Sequence, residues 1–146
     1  MRALLQRVSH AAVRVDERVV GSIDRGWAIL VGVGRQDSPA AAERLAQRVA
    51  HLRAFPDAQN RMNLSLLQTG GAALVVSQFT LYSDTSHGRR PSFVDAAAGE
   101  VAEPLVTHFV DALRALGIEV ATGEFGAHMV VEIVNDGPVT FLLNQD

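Results

Sequence analysis

Three polar segments of this chain hold side chains able to do chemistry. Ser77-Gln78-Phe79-Thr80-Leu81-Tyr82 follows directly on the apolar run Leu74-Val75-Val76. A buried strand ending in serine, glutamine and threonine brings hydroxyls and backbone N–H groups to one point, which suits a developing oxyanion or a polar substrate. The same pattern also fits a strand fraying into a loop, with Thr80 bonded to backbone. Asn135-Asp136-Gly137-Pro138-Val139-Thr140 lies between two apolar runs. Asp-Gly and Gly-Pro are turn dipeptides, so a plain β-turn accounts for it; an X-Pro bond is nevertheless cis in about 5–6 % of cases, and such bonds usually serve a purpose. His87-Gly88-Arg89-Arg90-Pro91-Ser92-Phe93 sets two adjacent arginines beside an aromatic ring. That combination suits phosphate contact and base stacking, and equally a solvated loop.

Familiar catalytic arrangements are missing. There is no G-x-S-x-G elbow, P-loop, G-x-G-x-x-G or H-E-x-x-H. The five histidines, His10, His51, His87, His108 and His128, have no ligand spacing, so no metal and no cofactor is expected. Cysteine is absent, which excludes disulfides and thiolate chemistry. All thirteen basic residues are arginine, so neither a Schiff base nor a lysine general base is available.

The elements that must position these residues follow from the apolar pattern. With 146 residues, 48 % of them apolar and 20 % charged, the chain has enough material for one domain, residues 1–146, with its own core. Short β-rich runs at 4–8, 11–15, 19–23 and 27–33 are separated by Ser9-His10, Asp16-Glu17 and Asp24-Arg25-Gly26, which are turn-type residues. Ser38-Pro39 opens a helix carrying Leu45, Val49 and Leu52, which stops before Phe55-Pro56. Residues 56–72 look like loop, Ala73 to Thr80 like a second buried strand, and 83–92 like a mobile polar loop. A second helix starts near Glu103-Pro104, with Leu105, Phe109, Leu113 and Leu116 as its stripe and Gly117 as its stop. Strands at 118–121, 129–135 and 139–143 complete the chain. This pattern predicts an α+β fold, a compact antiparallel β-barrel-like domain with two main helices. The charged N-terminal residues do not form a signal peptide, and no run is long enough to span a membrane, so a soluble cytoplasmic protein is expected. A net charge of −3 leaves any RNA contact to a local basic patch.

Taken together, the segments resemble the D-aminoacyl-tRNA deacylase family of bacteria and eukaryotes. The resemblance runs nearly end to end: Gln6-Arg7-Val8, Met62-Asn63-Leu64-Ser65-Leu66, Ser77 to Tyr82, Gly88 to Phe93, Thr122-Gly123 with Phe125-Gly126-Ala127, and Asn135 to Thr140. It favours the functional reading of the first two polar segments. It implies a homodimer with its site at the subunit interface, acting on the 3′ end of aminoacyl-tRNA. Ser77, Gln78, Phe79 and Thr80 would line the pocket as its catalytic segment. Gly137 and Pro138 would reach across from the partner with their peptide bond cis, held by Arg7, while Met129 and Phe125 would sit beside the substrate. Arg89 and Arg90 would meet tRNA. In two places the chain departs from the family pattern: His87 stands where a basic residue is common, and His128 where acidic or polar residues are.

The implied function is chiral proofreading, the hydrolysis of D-aminoacyl-tRNA. Telling mirror images apart requires fixing three substituents of the α-carbon. Backbone carbonyls of a Gly-Pro element could hold the α-amine and Cα–H while colliding with an L side chain. Glycine has no side chain to exclude, so glycyl-tRNA is expected to be cleaved. No activating base accompanies Thr80, so Thr80 is expected to position rather than attack, with the vicinal ribose hydroxyl helping to activate water and N–H groups near Phe79 and Thr80 holding the oxyanion. Alternatives are a related L-alanyl-tRNA deacylase of the same fold with a trans Gly-Pro, a non-enzymatic nucleic-acid-binding protein and a general esterase.

Overall fold

The computed structural model describes residues 1–146. Its longest elements, β1 (Arg2–Val15) and β8 (Val130–Asn144), lie at the two ends of the chain and pair antiparallel over almost their whole length. The other edge of β1 meets β3 (Gly26–Gly32) with its first half and β2 (Arg18–Ile23) with its second, so β2 and β3 lie end to end. Between β1 and β2 the chain turns on Asp16 and Glu17, at φ 49° and 63°, a two-residue turn whose twist matches its strands. β3 pairs parallel with β6 (Ala72–Ser77), and β6 pairs parallel with β7 (Val120–Thr122).

The sheet order is β2-β1-β3-β6-β7 with β8 added on β1, and the outer strands β2 and β7 come round towards each other. A Cβ on Gly21 would lie 2.4 Å from the Thr122 carbonyl oxygen, so only glycine permits that approach. Arg18 reaches Glu124 across the seam at 3.4 Å. The result is a mixed sheet nearly closed into a barrel, not the antiparallel one expected. The difference arises because α1 (Pro39–His51) and α3 (Gly99–Ala115) each carry the chain back to the same end of the sheet, which parallel pairing requires.

Two apolar clusters sit on opposite faces of this sheet. Leu45 and Val49 of α1 and Leu105, Phe109 and Leu113 of α3 pack on Leu5, Trp27, Ile29 and Val75. Val8, Ala11, Val13, Ile23, Ala28, Leu74 and Val76 form the smaller cluster. Ser9-His10 is not a turn: β1 runs through it, and the register shift there moves its inward side chains from one face to the other.

Ser38 caps α1 as expected, its Oγ accepting from the Ala41 N–H at 3.3 Å. α3 begins at Gly99 rather than at Glu103, because Pro104 is tolerated inside it: the carbonyl left free, at Glu100, lies in the exposed first turn. Residues 56–72 hold more order than expected, with a small hairpin of β4 (Phe55–Pro56) and β5 (Met62–Leu64) followed by the one-turn α2 (Leu66–Thr69). Ser65 and Gln68 form a reciprocal capping box on α2. No helix is long and apolar enough to cross a membrane.

Candidate active site

β6 ends at Ser77 and the chain turns at once into a 3-10 turn, Phe79–Tyr82. Gln78 is fixed at the junction by its N–H, which donates to the Val31 carbonyl of β3 at 2.7 Å. Beside this junction opens a cavity of about 530 Å³. Val31, Val33, Val76, Ser77, Gln78 and Phe79 form one side, and Ala97 with Gly99, Ala102 and Val106 of α3 form another. Phe125 to Met129 and Val131 close the third. Eleven of the sixteen lining residues are hydrophobic, and the one ionisable side chain among them is His128.

Polar capacity is concentrated at the junction. The N–H groups of Phe79 and Thr80 open the turn, and neither finds an acceptor within the chain. The Thr80 hydroxyl accepts from Gln78 Nε2 at 2.5 Å, and no histidine or carboxylate bonds to it. Ser77 and Gln78 are half-buried, whereas Phe79 is 57 % exposed at the rim and meets the ring of Phe93 edge-on at 4.9 Å. Through that contact the loop 83–92 is tied to the cavity mouth. Its base is closed by reciprocal backbone bonds between Asp84 and Ser92, both 2.8 Å, and its tip carries the exposed Arg89 and Arg90. A hydrogen bond from the Ser86 hydroxyl holds the Asp84 carboxyl below its ordinary value.

Five expected residues, Ser77, Gln78, Phe79, Phe125 and Met129, therefore surround one cavity. Thr80 lies just outside the lining, at the rim. Gly137, Pro138 and Arg7 are elsewhere. β8 runs through Asn135–Thr140 without the expected turn between two strands; instead residues 136–139 bulge opposite the single residue Arg7, between the pairs Gln6–Thr140 and Val8–Asn135. The Gly137–Pro138 bond is cis and both residues are exposed. Arg7 Nε donates to the Asp136 carbonyl at 3.2 Å and Nη1 to that of Ala54 at 2.7 Å, while the Asn135 side chain accepts from the Val139 N–H at 3.2 Å. The bulge lies three strands across from β6 and about four residues along, which is roughly 17–20 Å from Ser77. Gly137 and Pro138 do not line the cavity of their own chain.

Sequence reasoning missed the α3 wall, Gly99, Ala102 and Val106, because small apolar residues on a helix look the same whether they face a core or a cavity. His128 drew notice only as a departure from a pattern. A mixed, nearly closed sheet with this cavity at the ends of β3 and β6 is the deacylase fold. The family described as D-Tyr-tRNA(Tyr) deacylase matches residues 4–144, and the chain belongs to it. It is 60 % identical over 144 residues to a protein named D-aminoacyl-tRNA deacylase from Roseiflexus castenholzii, covering 99 % of this chain and 92 % of that one. The like-named protein of Thermomicrobium roseum is also 60 % identical, covering 99 % and 94 %. A solved structure described as c-Myc DNA Unwinding Element Binding Protein superposes with a TM-score of 0.92 at 34 % identity over 99 % of this chain and 98 % of that one. Another, described as a probable eukaryotic D-amino acid tRNA deacylase, gives 0.86 at 19 % identity over 97 % of each and bears on the fold alone.

Proposed function

We propose that this chain hydrolyses the ester joining a D-amino acid to the 3′ end of tRNA, in a cavity completed by a second copy of itself. The observation that carries the reading is the pair of unpartnered N–H groups at Phe79 and Thr80 on the rim of that cavity, in a chain so similar to named deacylases along its whole length. Water adds to the ester carbonyl carbon, assisted by the vicinal ribose hydroxyl, and the carbonyl oxygen becomes an oxyanion held by those N–H groups. Collapse breaks the bond to the ribose oxygen, which leaves with a proton; the products are the free D-amino acid and tRNA. One oxyanion donor of this kind contributes about 10²–10³ in rate. Thr80 carries no base that would make it a nucleophile, so its role is to orient from the rim.

Chirality is read by Gly137 and Pro138 of the second copy. In their own chain they are exposed, far from the cavity, and anchored by Arg7, as suits an element built to enter a neighbour's site. Their backbone excludes an L side chain, and glycyl-tRNA passes. Arg89 and Arg90 meet tRNA phosphates. Such a proofreading step belongs in the cytoplasm, where tRNA is charged.

A time course on D-tyrosyl-, L-tyrosyl-, L-alanyl- and glycyl-tRNA in EDTA tests the reading. Loss of the D and glycyl esters with both L esters intact supports it. Hydrolysis of the L-alanyl ester points to the related L-specific activity, and glycyl resistance overturns the steric filter. The structural neighbour described as a DNA-binding protein motivates the rival reading. Salt-sensitive DNA binding with no ester hydrolysis would establish it instead.

A further inference from the structure

The turn that presents the two N–H groups is four residues long, too short to be rigid by itself. What holds it lies at its other end, outside the cavity. Arg2, at the start of β1, donates through Nη1 to the Leu81 carbonyl at 2.6 Å and lays its guanidinium over the Tyr82 ring, 4.3 Å from the centroid. The Tyr82 hydroxyl donates to Asp37 Oδ2 at 3.2 Å. That oxygen also accepts the Gly34 N–H at 2.6 Å, and Oδ1 accepts from the Met1 ammonium at 2.5 Å. Space for the phenol depends on Gly34, since a Cβ there would lie 2.7 Å from the Tyr82 ring. Asp37 therefore joins the start of β1, the β3–α1 loop and the turn. Burial, reinforced by the Asp37 charge, pushes the Tyr82 phenol up to about 12, so it remains a donor into alkaline pH. None of Arg2, Asp37 and Tyr82 lines the cavity.

We propose that Arg2, Asp37 and Tyr82 are positioning residues: they set the direction of the Phe79 and Thr80 N–H groups and so act on the chemical step without touching substrate. The cluster works from behind the turn. It fixes Leu81 and Tyr82 while Gln78 fixes the entry, so the intervening residues have little freedom left. Small displacements of this kind are costly, because a shift of about 1 Å at a catalytic group can lower the rate about 10²-fold. The proposal rests on the oxyanion role given to those N–H groups above.

The test uses the full chain and three readouts: kcat and KM on D-tyrosyl-tRNA, amide hydrogen exchange at Leu81 and Ser83, whose N–H groups bond back to the Gln78 and Thr80 carbonyls, and the thermal melt. Arg2→Met is expected to lower kcat by about ten- to a hundredfold with KM within about twofold, and to speed exchange in the turn but not in α1 or α3. Arg2→Lys, which can still donate to the Leu81 carbonyl, is expected to recover part of kcat. Should Arg2→Met unfold the chain, Tyr82→Phe removes one hydrogen bond, keeps the ring, and gives the same pattern at smaller size. Unchanged kcat with unchanged exchange overturns the positioning role and leaves the oxyanion reading standing. Faster exchange with unchanged kcat overturns both. A raised KM at full kcat overturns the positioning role and makes the cluster part of substrate binding.

Discussion

At the scale of single residues, the sharpest question is what Thr80 does. Its hydroxyl is engaged by the Gln78 amide and no base stands behind it, so replacing the side chain removes an orienting contact but leaves the backbone N–H in place. Thr80→Ala is therefore expected to keep deacylation of D-tyrosyl-tRNA within about tenfold of the parent, well short of the loss of about 10⁶ that accompanies removal of a true nucleophile. Complete loss of activity with an unchanged melt would make Thr80 the attacking group. Arg7 acts at a distance from the cavity. It holds the bulge through the Asp136 carbonyl, so Arg7→Ala is expected to narrow the gap between D- and L-ester hydrolysis more than it lowers the D rate, as the two time courses would show. The family resemblance singled out Phe79 and favoured a site over a fraying strand end at Ser77 and Gln78, which the sequence alone made conspicuous as polar residues ending a buried strand. The Arg2–Tyr82–Asp37 cluster was not, because its members are far apart in sequence and ordinary in type.

At the scale of elements, the cluster that seats the 3-10 turn makes stability depend on alkaline pH. The fold raises the Tyr82 phenol from 10.0 to about 12, so it favours the neutral form. That contribution is complete below pH 10 and is lost as pH rises through about 12. The chain has no lysine, no cysteine and one tyrosine, so, arginine aside, no other side chain titrates in that window. A fall in melting temperature that tracks phenolate absorbance, and is absent in Tyr82→Phe, is the expected result; a parallel fall in both proteins would sink it. Ser65 offers a simpler case. Its capping box starts α2, so Ser65→Ala is expected to cost about 1 kcal/mol in denaturant unfolding. The Ser38 cap and the apolar stripes of α1 and α3 are why those two helices were readable in advance, whereas the single turn of α2 is too short to show a stripe and was read as loop. Strand pairing was harder to read. Whether Trp27–Val33 meets its neighbour parallel or antiparallel is decided by where α1 and α3 return the chain, and no local pattern encodes that. Ser9-His10 looked like a turn because a register shift and a turn use the same small polar residues.

At the scale of the whole molecule, the outer edge of β8 is the surface best suited to the proposed pairing with a second copy. A strand of fifteen residues is left unpaired on that edge, and Val130, Val134 and Leu142 stand 59 %, 46 % and 53 % exposed. Long apolar edges invite pairing with another chain. Register adds direction: Val76 lies beside Leu30, Leu30 beside Leu4, and Leu4 beside Leu142, so one apolar row runs from the cavity wall to the free edge. A second copy covering that row would lie against the cavity, within reach of the separation that keeps Gly137 and Pro138 from their own Ser77. Leu142 is half-exposed at the end of this row, so Leu142→Arg places a charge on the contact without emptying the monomer's core. The variant is expected to run as a single chain in sedimentation, with the parent's melt at low concentration, and to lose D-ester hydrolysis and its preference over the L ester together. A single-chain variant that kept both activity and chirality would mean the cavity is complete within one copy, and Gly137 and Pro138 would then need another role. A variant that stayed paired would move the contact off this row while leaving the cross-copy filter to be tested from another face.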